Sequence, residues 1–126
     1  MKQATVLYVE DNEYNRKIVR QLLRRTPYRL QEAPDGEAAL AMVRQERPDL
    51  ILMDVQLPRM SGLDATRALR ADERTKDTPI IVITSFAMSG DRERATAAGA
   101  SGYIAKPYSP RELLALLRQF LPEEAS

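Results

Sequence analysis

Short apolar runs alternate with helix-period segments along the chain, and this alternation is the strongest constraint on its fold. The apolar runs have the length of strands, and the segments between them repeat apolar residues at the spacing of an amphipathic helix. We predict strands at 5–9, 28–33, 50–53, 80–83 and 102–105, and helices at 13–25, 37–45, 62–70, 90–98 and 110–121.

Five βα units in this order imply an α/β fold with one parallel sheet and helices on both faces. Right-handed crossovers favour a doubly wound, flavodoxin-like (βα)5 sheet with the strand order 2-1-3-4-5. The run at 50–53 is apolar throughout, as expected of a strand buried on both faces, whereas 28–33 is more polar and is expected near a sheet edge. The 126 residues predict one domain, with its core at about 3–121 and a tail at 122–126.

Composition excludes several kinds of site. The chain has no Cys and no His, so a disulfide, a thiolate or imidazole metal site, a Ser-His-Asp triad and a phosphohistidine cannot form within it. The 19 basic and 18 acidic residues balance, which gives no overall field for nucleic acid or an anionic membrane. No apolar leader and no apolar run of ~18–20 residues is present. We therefore expect a cytoplasmic protein that binds neither nucleic acid nor membrane.

Polar residues stand where four of the five predicted strands end. The first strand ends at Glu10 and Asp11, the third at Asp54, the fourth at Thr84 and the fifth at Lys106. Ligands of parallel α/β sheets bind outside the carboxyl ends of the strands. The fold therefore predicts that these residues, which are far apart in sequence, share one edge of the sheet.

These side chains suit phosphoryl transfer with a metal ion. Carboxylates that meet at one edge repel each other, and a proton or a cation must relieve the repulsion. Oxygen ligands without His or Cys favour a hard ion such as Mg²⁺, which leaves room for a phosphoryl oxygen. Asp54, at the end of the most buried strand, is then the expected nucleophile. Lys106 would supply a positive charge and Thr84 a hydroxyl donor to the phosphoryl oxygens during in-line transfer.

Four segments of the chain resemble those of response-regulator receiver domains, over about residues 3–121. They are VLYVEDNEYNR with the acidic pair, DLILMDVQLPRMSGLD with the phosphoacceptor strand and loop, PIIVITSF with the switch Thr, and GYIAKP with the switch aromatic residue, Lys and Pro. All of them occur in the order and at the spacing of that family. The FAM-x-GD run and the EDN triplet are similar to those of single-domain cell-cycle regulators and of receivers attached to hybrid kinases.

The resemblance implies a set of metal ligands around the phosphoacceptor Asp54. Asp11 would bind Mg²⁺ directly, and Glu10 would bind it mostly through water. Asp54 itself and the backbone carbonyl of Gln56 would complete the protein ligands. Mn²⁺ is expected to substitute for Mg²⁺.

The resemblance also implies a switch. Thr84 is drawn toward the phosphoryl group together with Lys106, the loop 85–90 moves, and Tyr103 turns inward as Thr84 moves. The surface formed by the fourth helix, fifth strand and fifth helix, at about 90–120, then carries the signal. The peptide bond between Lys106 and Pro107 is expected to be cis.

The implied partners are a sensor histidine kinase or a histidine phosphotransferase, and a downstream protein effector. Such a domain is not an enzyme in the usual sense, although it catalyses its own phosphoryl transfer and slow dephosphorylation. A monomer or a weak, phosphorylation-dependent dimer is expected. The chain is interpreted as a single receiver domain, and the alternative is a receiver excised from a hybrid kinase or a larger response regulator.

Several residues have simpler explanations when each is taken alone. Asp54 could be a helix N-cap, and Lys106 could be a surface lysine. Tyr14 and Ile18, spaced four apart on the first helix, are equally explained as core residues or as an exposed face that docks the kinase.

Two other functions share parts of the pattern. A flavodoxin would have the same fold, but it needs a phosphate-binding loop after the first strand, where Glu10 and Asp11 would repel phosphate. A haloacid-dehalogenase-type phosphatase would also use Asp54, but it needs a second acid at the position of Gln56. Dinucleotide binding, a third function of such folds, is not favoured, because the chain lacks the glycine fingerprint that it requires.

Overall fold

The computed structural model describes residues 3–85 and 90–121, and its strands and helices alternate as predicted. The strands are β1 Thr5–Val9, β2 Arg29–Ala33, β3 Leu50–Asp54, β4 Ile80–Thr84 and β5 Gly102–Ala105. The helices are α1 Glu13–Leu23, α2 Gly36–Gln45, α3 Gly62–Ala71, α4 Asp91–Ala98 and α5 Pro110–Phe120. The predicted loop 85–90 is described only at its ends, and the predicted tail 122–126 lies outside the described residues.

The strands are parallel and lie in the order β2-β1-β3-β4-β5, which confirms the predicted doubly wound sheet. β2 lies at an edge, as its polar sequence predicted. β1, β3 and β4 are buried at every position, as expected of strands that helices cover on both faces. Across 3–85 and 90–121, no helix is both long and apolar enough to span a bilayer.

Alternate residues of each strand point to opposite faces of the sheet and build two cores. α1 and α5 cover one face, where Leu52 and Ile81 pack against Leu113. α2, α3 and α4 cover the other face, where Met53 packs against Leu69. Full burial of each such side chain contributes ~1.5–3 kcal/mol. The two cores therefore fix the sheet, and with it the places where the strands end.

Polar side chains fix the starts of the helices that follow the functional loops. Asn12 Oδ1 accepts a hydrogen bond from the N–H of Asn15 at 2.9 Å and caps α1. Ser61 Oγ accepts one from the N–H of Asp64 at 3.1 Å and caps α3. Caps of this type contribute ~1 kcal/mol each. They also define the length of the loops after β1 and β3, which carry the predicted site residues.

Gly62 begins α3 directly against the end of β3. A Cβ added there would lie 1.9 Å from the carbonyl oxygen of Asp54, so the helix or the strand end would have to shift. We expect Gly62→Ala to lower the free energy of unfolding by ~1–3 kcal/mol, measured by urea denaturation. Gly36→Ala is the matched control at the start of α2. Its Cβ would meet the flexible side chain of Met60 at 3.0 Å, so its cost should be smaller, and equal stability of wild type and Gly62→Ala would contradict this packing.

Candidate functional site

The carboxyl ends of three strands bring the predicted acids and the lysine to one edge of the sheet. Val9 on β1 pairs with Met53 on β3, so Glu10 and Asp54 follow side by side. Lys106 directly follows β5 at the same edge. The order of the strands therefore assembles residues that are far apart in the chain.

The ammonium group of Lys106 lies between two buried carboxylates. Its Nζ is 2.7 Å from Oδ2 of Asp54 and 3.0 Å from Oε1 of Glu10. Glu10 and Asp54 are each 2% exposed, and a buried carboxylate without a partner would be costly. The Lys106-Pro107 peptide bond is cis, as predicted. The three predicted residues thus form one ion-pair cluster.

Glu10 is held by further groups that the sequence analysis missed. The buried hydroxyl of Tyr8 donates to Oε1 at 3.1 Å, and the N–H of Asn12 donates to Oε2 at 3.2 Å. Arg16 Nη1 donates to the backbone carbonyl of Glu10 at 2.7 Å. One signal was present in the sequence, because a Tyr within a largely apolar strand needs a partner for its hydroxyl.

The pKa values of the two buried carboxylates move in opposite directions. Burial raises the pKa of Asp54 to about 6, and a hydrogen bond with Glu10 adds to the rise while Lys106 opposes it. Burial also acts to raise the pKa of Glu10, but hydrogen bonds with Asp54 and Lys106 lower it to about 2. In mild acid, the first proton that this pair of carboxylates takes up therefore resides on Asp54. At neutral pH both carboxylates are charged, and one ammonium balances only part of that charge.

Glu10, Asp11 and Asp54 offer carboxylate oxygens at this edge of the sheet. Such oxygens are the ligands that a hard divalent cation prefers. Some loss of hydration and the neighbouring Glu10 carboxylate raise the pKa of Asp11. Among the described residues, no three Asp, Glu, His or Cys side chains are grouped so that they could hold a metal ion. Lys106 contacts Asp54 and Glu10 instead, and Asp11 is exposed. The predicted Mg²⁺ ligands, including the carbonyl of Gln56, stay a prediction.

Asp54 is not a helix N-cap, which was the simpler explanation that its sequence position allowed. Its Oδ1 accepts the backbone N–H of Gln56 at 2.9 Å. The cap of the following helix is Ser61. The carboxylate of Asp54 is therefore held at the strand end by Gln56 and Lys106.

Arg59, in the loop after β3, pairs with two acids at the start of α2, and the sequence analysis missed this contact. Its φ of 67° lies in the left-handed region, which is costly for a residue with a side chain. Its guanidinium group pairs with Asp35 Oδ2 at 2.8 Å and with Glu37 Oε1 at 3.1 Å. These ion pairs connect the loop to the start of α2. No Gly or Asn marks this position, so the turn could not be read from residue type.

Thr84 and Tyr103, the predicted switch pair, line a common cavity of about 200 Å³. Thr84 ends β4 and is buried, and Tyr103 on β5 is half-buried. Val55, Leu63 and Val82 also line this cavity. The structure thus brings the pair together, and their movement stays a prediction.

Tyr14 and Ile18 are exposed, at 71% and 46%, so they are not core residues. Ile18 lines a groove of about 270 Å³ together with Lys106, Pro107 and Tyr108. This groove connects the exposed face of α1 to the lysine of the ion-pair cluster. Their predicted role in docking a kinase stays a prediction.

The pKa of Asp54 makes the stability of the metal-free protein depend on pH. The folded state holds this proton more tightly than the unfolded chain, because the pKa is about 6 against a usual 3.8. The stabilisation from Asp54 is therefore present below pH ~4 and is lost as pH rises through ~6. Because asparagine has no titratable carboxyl group, Asp54→Asn should abolish this loss of stability at higher pH.

We expect Asp54→Asn, in EDTA, to exceed wild type in free energy of unfolding by on the order of 1–3 kcal/mol at pH 7.5. The difference should narrow at pH 4.5. Urea denaturation at several pH values measures it, and a difference that stays constant across this range would contradict the raised pKa.

Comparison with known proteins agrees with this geometry. The family model for the response regulator receiver domain matches residues 6–118. The polar-differentiation response regulator DivK of Brucella anthropi is 42% identical over 117 residues, which cover 93% of this chain and 95% of that protein. The DivK of Brucella ovis is similar to the same extent.

Solved structures of receiver domains have the same fold. Chemotaxis protein CheY4 of Vibrio cholerae is 34% identical, with a TM-score of 0.89 and coverage of 94% of this chain and 99% of that one. The receiver domain of sensor histidine kinase PA1611 from Pseudomonas aeruginosa, with a magnesium ion coordinated in its active site cleft, is 38% identical. Its TM-score is 0.87, and the match covers 95% of this chain and 98% of that one. This chain therefore belongs to the response regulator receiver domain family of two-component signalling.

Proposed function

We propose that Asp54 accepts a phosphoryl group from a phosphohistidine, in a Mg²⁺-dependent reaction, and that this changes the surface of α4, β5 and α5. The observation that carries the proposal is the contact of Lys106 Nζ with the buried carboxylate of Asp54 at 2.7 Å. A cation at that distance can neutralise a group that becomes attached to the same carboxylate.

The transfer itself is a substitution at phosphorus. A carboxylate oxygen of Asp54 attacks in line, so that a P–O bond forms as the P–N bond of the donor breaks. The imidazole nitrogen leaves with the electron pair of that bond and takes up a proton. Because residues 1–126 contain no His, the donor residue lies outside them.

Each residue of the site has a task in this reaction. Lys106 neutralises charge on the phosphoryl oxygens, and Thr84 donates its hydroxyl to one of them. Asp11, Glu10, Asp54 and the Gln56 carbonyl would hold Mg²⁺, which supplies positive charge to the transferring group when bound. Mn²⁺ is expected to serve as well.

The new dianionic group changes what Lys106 and Thr84 contact. As Thr84 moves toward the phosphoryl group, space opens in the cavity that it shares with Tyr103. Tyr103 then turns inward and alters the surface around α4. This is a shift between two existing conformations, with a coupling free energy of ~1–3 kcal/mol.

The exposed side chains of Tyr14 and Ile18 form the proposed docking face for a histidine kinase or a histidine phosphotransferase. The groove beside Ile18 leads to Lys106, so a partner bound there can bring its phosphohistidine to Asp54. The output partner is a protein that reads the surface of α4, β5 and α5.

The chain acts in the cytoplasm as a phosphoacceptor domain at about 3–121, either alone or as part of a larger regulator or hybrid kinase. It binds neither nucleic acid nor membrane, consistent with its balanced charge, and is a monomer or a weak, phosphorylation-dependent dimer. Beyond its own phosphorylation and slow dephosphorylation, it catalyses no reaction.

Incubation with acetyl phosphate tests the phosphoacceptor directly. We expect a gain of one phosphoryl group in intact mass that requires Mg²⁺ and is absent in Asp54→Asn. Asp77→Asn is the matched control, since this exposed acid lies before β4, at the opposite edge of the sheet. A Mg²⁺-dependent gain that persists in Asp54→Asn would exclude Asp54 as the acceptor.

A comparison between a protein phosphodonor and acetyl phosphate tests the docking face. We expect Ile18→Ala and Tyr14→Ala to slow phosphoryl transfer from a phosphorylated kinase or phosphotransferase by about tenfold, because they remove contact area of a small interface. Their rate with acetyl phosphate should stay at the wild-type value. Lys17→Ala, an exposed residue on the same helix, should change neither rate. Loss of both rates in Ile18→Ala would point to damage at the site rather than to docking.

A further inference from the structure

Arg92, in the first turn of α4, lies over the ring of Tyr103 on β5. Its guanidinium carbon is 5.6 Å from the ring centroid, a distance at which the cation is attracted to the face of the ring. Arg92 is exposed and Tyr103 is half-buried. The contact thus joins the outer surface of α4 to the aromatic residue of the proposed switch.

Tyr103 lines two different cavities. The outer cavity, of about 260 Å³, is lined by Tyr103 together with Arg92, Ala100 and Gly102, among others. The inner cavity, of about 200 Å³, is the one that Tyr103 shares with Thr84. Tyr103 therefore borders both the cavity lined by Arg92 and the cavity lined by Thr84.

We propose that Arg92 is a positioning residue that holds the Tyr103 ring on the side of the outer cavity, and that loss of the contact lets the ring enter the inner cavity. This inference rests on the proposed function, in which Tyr103 is part of the switch. Val55, Leu63 and Val82 give the inner cavity an apolar wall that favours entry of the ring, and Gln56, Asp91 and Arg94 line the rest of it beside Thr84. The Arg92 contact opposes that attraction.

The opposite end of α4 is fixed, so the contact acts at the first turn of the helix. Arg70 Nε donates to the carbonyl of Gly99 at 2.7 Å, and Arg70 Nη1 donates to the carbonyl of Thr78 at 2.7 Å. These bonds tie the C-terminal end of α4 to α3 and to the segment before β4. Loss of the Arg92 side chain therefore changes the setting of Tyr103 without detaching the helix.

Fluorine NMR of unphosphorylated protein labelled with 3-fluorotyrosine tests the proposal. The Tyr103 resonance is assigned by its absence in Tyr103→Phe, and its shift between H₂O and D₂O measures the solvent exposure of the ring. We expect Arg92→Met to raise the ratio of inner to outer ring by about two- to fivefold. The isotope shift of Tyr103 should therefore decrease. Arg92→Lys, which keeps a cation, should stay near wild type.

Other outcomes would change the isotope shift of Tyr103 in a different way. If the ring does not move, removal of Arg92 uncovers it, and the isotope shift stays the same or increases, which would overturn the proposal. An equal decrease in Arg92→Met and Arg92→Lys would show that the cation has no part in the contact and would also overturn it. Arg111→Met, an exposed arginine on α5, is the control and should leave the shift unchanged. Failure of the proposed function would appear separately, as absence of the phosphoryl mass gain.

Discussion

The pairing of Lys106 with two buried carboxylates is the interaction on which the site depends. Without the ammonium group, Glu10 and Asp54 would be like charges side by side, each almost fully removed from water, and such burial costs several kcal/mol per ion. The ammonium reaches both because β5 ends at the same edge as β1 and β3. The two cores, packed on opposite faces of the sheet, keep those strand ends in place.

The same pairing links the site to two surfaces of the protein. On one side, Lys106 lines the groove beside Ile18, so the proposed docking face borders the reacting carboxylate. On the other, Thr84 and Tyr103 line one cavity, and Arg92 contacts the Tyr103 ring from α4. A change of charge at Asp54 is therefore adjacent to the entry surface for the phosphoryl group and to the surface proposed to carry the signal away.

The features that depend on hydrophobic periodicity and on the positions of strand ends could be predicted from the sequence. The alternation of apolar runs and helix-period segments was sufficient for the elements and the strand order, and the ends of β1, β3 and β5 placed Glu10, Asp54 and Lys106 together. The individual side-chain contacts could not be predicted in this way, because they depend on packing geometry. The hydroxyl of Tyr8 on Glu10 is one example. The left-handed backbone at Arg59 is another, since no Gly or Asn marks the turn and its ion pairs are with Asp35 and Glu37 at the start of α2.

The buried carboxylate of Asp54, beside Lys106, is the proposed carrier of the phosphoryl group. Borohydride reduces an aspartyl phosphate to homoserine, so treatment of the phosphorylated protein followed by peptide sequencing in a mass spectrometer identifies the acceptor position. We predict homoserine at position 54 in protein that was incubated with Mg²⁺ and a phosphodonor, and an intact Asp54 when the donor is left out. Homoserine at position 11 or at another aspartate, with Asp54 unchanged, would exclude Asp54 as the acceptor.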